Sequence, residues 1–168
     1  MSDDPLIGSL APDFAVTSTE KRLVRLDDYA GRWLVIFFYP KAFTPGCMKE
    51  AIAFSDEKTA LAALGADVLG VSVDDLAVQC DFAREKHLGF PLLADFDQTM
   101  SKAYGVTRGF LPFNKRVTFV IDPDGVVRAR FHHEVQVQQH VDDVLAFLRT
   151  CASSSSSSSS SPPSEASS

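Results

Sequence analysis

Seven consecutive apolar or aromatic residues, Trp33 to Tyr39, constrain this chain more than any other stretch. No polar residue interrupts them, so they suit a strand covered on both faces. Pro40 has no N–H to give to a ladder, and the strand is expected to end there. Thr44 is a good N-cap and Pro45 suits the first helical position, so a helix opens next with Cys47 in its first turn. Ala51, Phe54, Leu61 and Leu64 recur at helical spacing, and Gly65 stops the pattern. A thiol at that place sits among unpaired N–H groups at the positive end of the helix dipole. Such a seat can bring a cysteine pKa from about 8.5 down to roughly 3.5–7.5. Placement alone fits an inert core cysteine equally well.

The remaining elements alternate around this strand. Residues 1–10 read as a loose arm, and Ala11 to Leu26 as short strands about a polar turn at Ser18 to Lys21. Asp67 to Val73 is a second buried strand, completing a βαβ unit. Asp74 and Asp75 cap a helix that carries Cys80 and Phe82. Phe90 to Leu93 is short and extended, Asp95 to Tyr104 helical, and Arg108 to Lys115 a loop. Arg116 to Ile121 and Val126 to Phe131 flank Asp122-Pro123-Asp124-Gly125, a hairpin signature. Val137 to Arg149 forms a last helix. Such an order implies a three-layer α/β domain with one mixed sheet, over residues 1–151. The serine run from Ser153 and the end of the chain offer no apolar residues, so residues 152–168 are expected to be a disordered tail.

Composition narrows the function classes. The 168 residues are 45% hydrophobic, enough for one domain with a substantial core. The net charge of −6 gives no basic patch for nucleic acid. No apolar run is long enough to cross a membrane, and the acidic N-terminus lacks a signal-peptide apolar region. Three cysteines without such a signal suggest a reducing compartment, hence a cytoplasmic chain. His87, His132, His133 and His140 have no metal spacing with the cysteines, and His132-His133 reads as a solvated pair. No metal and no cofactor are expected.

The segment YPKAFTPGCMKEAIAF resembles the active-site segment of peroxiredoxins, most closely the bacterioferritin comigratory protein or peroxiredoxin Q group. The family spacing of proline, threonine and cysteine falls on Pro40, Thr44 and Cys47. Its arginine before a Thr-Phe pair on a later strand falls on Arg116. The likeness runs from about Pro5 to Arg149. It implies a thioredoxin-like fold with an N-terminal extension and an insertion. It also implies reduction of hydrogen peroxide and organic hydroperoxides through a Cys47 sulfenic acid. In that scheme Arg116 stabilises the thiolate and holds peroxide, Thr44 presents its hydroxyl, and Pro40 shields the sulfur from water. Glu50, one turn after Cys47, hydrogen-bonds the arginine side or is a solvated glutamate.

The sequence departs from one common form of the group, because the position five residues after Cys47 is Ile52. Cys80, 33 residues after Cys47, is the first candidate to resolve the sulfenic acid as an intramolecular disulfide recycled by thioredoxin. Other members of the group place that thiol about a turn later, where this chain has Ala83. Cys151 is a second candidate. A one-cysteine mechanism with an external thiol is a third, and a redox-sensing or holdase protein using the same thiol as a switch is the alternative from another class. No CxxC is present, so thioredoxin-type dithiol chemistry is disfavoured. An intramolecular resolver makes a monomer sufficient, with a weak homodimer the other expectation.

Overall fold

Alternate residues of the central apolar run feed two separate cores. The computed structural model describes residues 6–108, 111–133 and 136–160. Its elements are β1 (Ala15–Thr17), β2 (Leu23–Arg25), a 3-10 turn (Leu26–Tyr29), β3 (Trp33–Phe38), α1 (Pro45–Asp56), α2 (Lys58–Ala63) and β4 (Ala66–Ser72). There follow α3 (Leu76–Glu85), β5 (Leu92–Ala94), α4 (Thr99–Ala103), β6 (Thr107–Arg108), β7 (Leu111–Asn114), β8 (Val117–Ile121), β9 (Val127–His132) and α5 (Val137–Ser160). The main sheet has the order β5-β4-β3-β8-β9. β3, β4 and β5 are mutually parallel, β8 pairs antiparallel with β3, and β9 pairs antiparallel with β8. Val35, Phe37 and Tyr39 join Ala51, Phe54, Leu61, Phe82, Val141 and Val144 in one core. Leu34, Ile36 and Phe38 join Phe14, Val24, Leu69, Met100, Tyr104 and Phe119 in the other. Period-two alternation therefore serves two buried faces, and a polar residue fits neither.

One glycine sets how closely helix and sheet approach. The Phe37 ring stacks on Phe54 with centroids 4.6 Å apart and meets Phe90 edge-on at 5.6 Å. A Cβ on Gly70 of β4 would lie 2.8 Å from Phe37 and 2.7 Å from Leu92, closer than van der Waals contact allows. Gly70 thus makes room for the aromatic stack that seats α1 on the sheet.

Several elements differ from the sequence expectation. The helix after Cys47 breaks at Glu57, which caps α1 and starts α2 (φ −98°, ψ 9°). The bend lets Leu61 reach the core while Lys58 stays outside. α4 begins at Thr99 rather than Asp95, because the buried Asp95 carboxylate accepts from Met100 N, Ser101 N and Ser101 Oγ and so holds the chain in a turn first. The stretch expected as a loop before Arg116 contains the antiparallel pair β6 and β7. The tail expectation also meets a difference: α5 continues through the serine run to Ser160. An existing helix extends without a new nucleus, and serine is only a middling helix former. Residues 161–168 lie outside the described residues.

Gly70→Ala is expected to lower stability by about 1–3 kcal/mol, through overpacking against Phe37 and Leu92. Urea unfolding checks this: the midpoint falls at unchanged slope.

Candidate active site

Sheet register brings together three side chains that are far apart in sequence. β3 ends where α1 begins, and Phe38 pairs with Val117 of β8. The residue before β8, Arg116, therefore lies beside the first turn of α1. Thr44 is extended (φ −84°, ψ 149°) ahead of Pro45, and Cys47 is the third helical residue, fully buried. Glu50 follows one turn later on the same side, also fully buried. Arg116 Nη1 donates to Cys47 Sγ at 3.4 Å and to Glu50 Oε1 at 3.0 Å. Burial works against the guanidinium's charge, but the neighbouring Cys47 and Glu50 raise its pKa above the ordinary arginine value. Of the two sequence readings of Glu50, the solvated one is overturned.

Other expected residues occupy less direct positions. Thr44 does not cap α1 with its side chain. Its hydroxyl donates instead to Lys41 O at 2.9 Å, so in this arrangement its proton is engaged there. Pro40 is half-buried, one residue beyond Tyr39, which follows the end of β3 at Phe38. Cys80 is half-buried, with Sγ 4.0 Å from Thr19 O, and Cys151 is half-buried on α5. The three thiols are free. Two cavities of about 430 and 270 Å³ lie elsewhere, and neither is lined by Cys47, Glu50 or Arg116. Peroxides are small, and donors at the sulfur matter more than volume.

Sequence reasoning missed the residues that fix the loop before α1. Asp74 does not cap α3; Asp75 does, accepting from Val78 N. The Asp74 carboxylate accepts from Ala42 N and from Ser72 Oγ, both at 2.7 Å. Phe43 has φ +66°, uncommon for an aromatic residue, and its ring meets Phe82 edge-on at 5.1 Å. Tyr39 Oη donates to Gln79 Oε1 at 2.5 Å, and Gln79 Nε2 donates to Leu93 O at 2.8 Å, all buried. These contacts tie the loop and α3 to the sheet. An acid-acid pair before a helix signals a cap, and only the fold shows that one of the two acids serves the loop.

The histidine expectation needs correction too. His133 is not simply solvated: its Nε2 lies 2.8 Å from Asp143 Oδ2, and its ring meets His140 edge-on at 5.1 Å. α5 packs against α1 and carries His140 into the interior beside Glu50, for which lone histidines in sequence give no signal.

Burial lowers the His140 pKa to about 4; the His133 carbonyl opposes that, while the charges of His133 and Arg116 add to it. The ring is neutral when folded but protonates near pH 6.5 when unfolded, so acid favours the unfolded chain. His140 thus contributes stability that is present above about pH 6.5 and is lost as pH falls toward about 4, roughly 3 kcal/mol in all. Urea midpoints measured from neutral pH to pH 5 are expected to fall, and to fall less in His140→Phe.

Comparison with known proteins shows the family. Residues 7–130 match the AhpC/TSA family. Rice peroxiredoxin Q, a chloroplastic protein, is 37% identical over 146 residues, covering 85% of this chain and 66% of its own length. A Coxiella burnetii relative that carries the name peroxiredoxin bcp is 38% identical, covering 84% of this chain and 97% of its own. The Mycobacterium tuberculosis peroxidoxin BcpB superposes with a TM-score of 0.80 at 36% identity, over 86% of this chain and 96% of that one. A Xanthomonas campestris bacterioferritin comigratory protein, whose structures concern alkyl peroxide reduction, gives 0.77 at 32% identity, over 83% of this chain and 92% of that one. With a thioredoxin-like sheet, a cysteine in the first turn of α1 and an arginine upon its sulfur, the chain belongs to the AhpC/TSA family, in the peroxiredoxin Q and bacterioferritin comigratory group of thiol peroxidases.

Proposed function

We propose that this chain reduces hydrogen peroxide and organic hydroperoxides at Cys47. The contact that carries the reading is the Arg116 guanidinium 3.4 Å from a buried sulfur. The thiolate attacks the terminal oxygen of ROOH. An S–O bond forms, the O–O bond breaks, and RO⁻ leaves to take a proton as ROH. Sulfur is oxidised to the sulfenic acid while the peroxide gains two electrons. Negative charge moves from sulfur to the leaving oxygen, and the fixed donors of Arg116 can follow it. The N–H groups of the first turn of α1 add to that field. In this scheme Thr44 releases Lys41 O and offers its hydroxyl proton to the bound peroxide.

Cys80 then attacks the sulfenic sulfur, water leaves, and a Cys47–Cys80 disulfide is reduced by a thioredoxin-type dithiol. Three free thiols in one small domain favour a reducing compartment such as the cytoplasm. The bond forms within one chain, so no second copy is required. The sulfurs must approach to about 2.05 Å, which demands that α3 or α1 unwind locally. A second reading, with an external thiol in place of Cys80, draws on two observations. Cys80 faces the Thr19 carbonyl rather than the Cys47–Arg116 contact. The two cysteines replaced by serine in the Xanthomonas peroxiredoxin Q variants are also about one helical turn further apart than Cys47 and Cys80.

Steady-state turnover with a thioredoxin system tests the activity: Cys47→Ser is expected to abolish it, Cys80→Ser to slow it strongly, and Cys151→Ser to leave it unchanged. A single stoichiometric oxidation without turnover would instead indicate a sensor. Non-reducing mass spectrometry after one equivalent of peroxide is expected to find the Cys47–Cys80 linkage, and a lasting Cys47 sulfenate or mixed disulfide would favour the external thiol.

A further inference from the structure

The inner side of the Glu50–Arg116 pair is closed by a histidine that the reaction as written leaves unused. His140 sits in the first turn of α5 and is fully buried. Its Nε2 lies 2.8 Å from the His133 carbonyl oxygen. A carbonyl only accepts, so Nε2 carries the ring proton. Its Nδ1 lies 2.8 Å from Thr118 Oγ1. In the neutral ring that nitrogen has a lone pair, and the Thr118 hydroxyl donates to it. The same Nδ1 is 3.7 Å from Glu50 Oε2, contact distance but beyond a hydrogen bond. Thr118 lies two residues after Arg116, so the extended chain presents both to one side. Among the described residues, the charged or titratable groups that face the ring or its immediate contacts are Glu50 and Cys47 from α1, Arg116 ahead of β8, His133 after β9, and Asp143 of α5 through His133.

We propose that His140 is a positioning residue for Cys47: a neutral wall locked in one tautomer, which gives Glu50 no competing donor and so keeps its carboxylate on Arg116 and the guanidinium on the sulfur. Three observations make the ring suited to this and other side chains poor replacements. A donor is needed toward the His133 carbonyl, an acceptor toward Thr118, and no proton toward Glu50. A cationic ring would draw Glu50 away and repel Arg116 at close range. An apolar ring would leave the buried Thr118 hydroxyl without its acceptor and the ring position without its lock. The low pKa of the buried ring agrees with the neutral form. Glu50 and Cys47 share the Arg116 Nη1 donor, so a small displacement of the carboxylate is felt at the sulfur. The inference deepens the peroxidase reading and rests on it.

The test uses full-length protein carrying Cys80→Ser and Cys151→Ser, so that Cys47 alone reports. Two rates are measured: iodoacetamide alkylation across pH, and reaction with hydrogen peroxide. His140→Phe and Thr118→Val, checked for native circular dichroism, are expected to lose about tenfold or more in the peroxide rate, with less alkylation at neutral pH. Thr118→Ser, which keeps the hydroxyl, is expected to recover most of the loss. Nitrogen-15 NMR of the same background protein is expected to show His140 as the Nε2–H tautomer at neutral pH. Folded His140→Phe and Thr118→Val proteins with unaltered alkylation profiles and peroxide rates would overturn the proposal. So would equal losses in Thr118→Ser and Thr118→Val, or a cationic or Nδ1–H ring. Alkylation needs no peroxide, so a background protein inert to peroxide would count against the peroxidase reading while the tautomer and alkylation profiles still decide the role of His140.

Discussion

A single guanidinium shared between a sulfur and a carboxylate organises this molecule. Arg116 reaches Cys47 and Glu50 from one nitrogen, and both partners are fully buried. A buried carboxylate without a cation is strongly unfavourable, and removing one partner of such a pair typically costs about 3–5 kcal/mol. The same contact therefore holds α1 to the start of β8 and sets the field at the sulfur. Sheet topology makes it possible. Only an antiparallel neighbour of β3 begins where β3 ends, and β8 is that neighbour.

The loop between β3 and α1 shows where local preference yields to the site. Phe43 accepts a left-handed backbone, and Ala42 gives its N–H to Asp74 instead of to a regular element. Strain of this sort survives only when the surroundings hold it in place. Here the Phe82 ring and the Asp74 carboxylate do so, and both come from the β4–α3 region. The loop thus couples to the helix that carries Cys80. Any partial unwinding of α3 works against the buried Tyr39–Gln79–Leu93 chain of hydrogen bonds as well as the Phe43–Phe82 contact.

Much of this was legible in the sequence because the signals were local. An unbroken apolar run, a proline stop and a Thr-Pro helix start place β3 and α1 within a residue or two. The hairpin about Pro123 and Asp124 follows from turn chemistry. The resemblance of the Pro40 to Phe54 segment pointed to Arg116, which spacing alone could not pair with a residue 69 positions away. What sequence hid is non-local. The α4 start is set by the side chain of Asp95, the helix break by a bend at Glu57, and the β6–β7 pair by a short ladder without a strong pattern. His140 and Asp74 look like an ordinary helix histidine and a capping acid. Their roles arise from packing partners 90 and 32 residues away. The Thr44 side chain was expected at the cap or at the sulfur and bonds to Lys41 O instead, across the loop that turns at Phe43.

The account stands on Cys47 being an anion because Arg116 lies against it. Ultraviolet titration of the thiolate in protein with serine at positions 80 and 151 measures this directly, with Arg116→Met as the comparison. A sulfur ionised at neutral pH in the parent and largely protonated in the variant is the predicted result. A sulfur protonated at neutral pH in the parent, or equally ionised with and without the guanidinium, would contradict it.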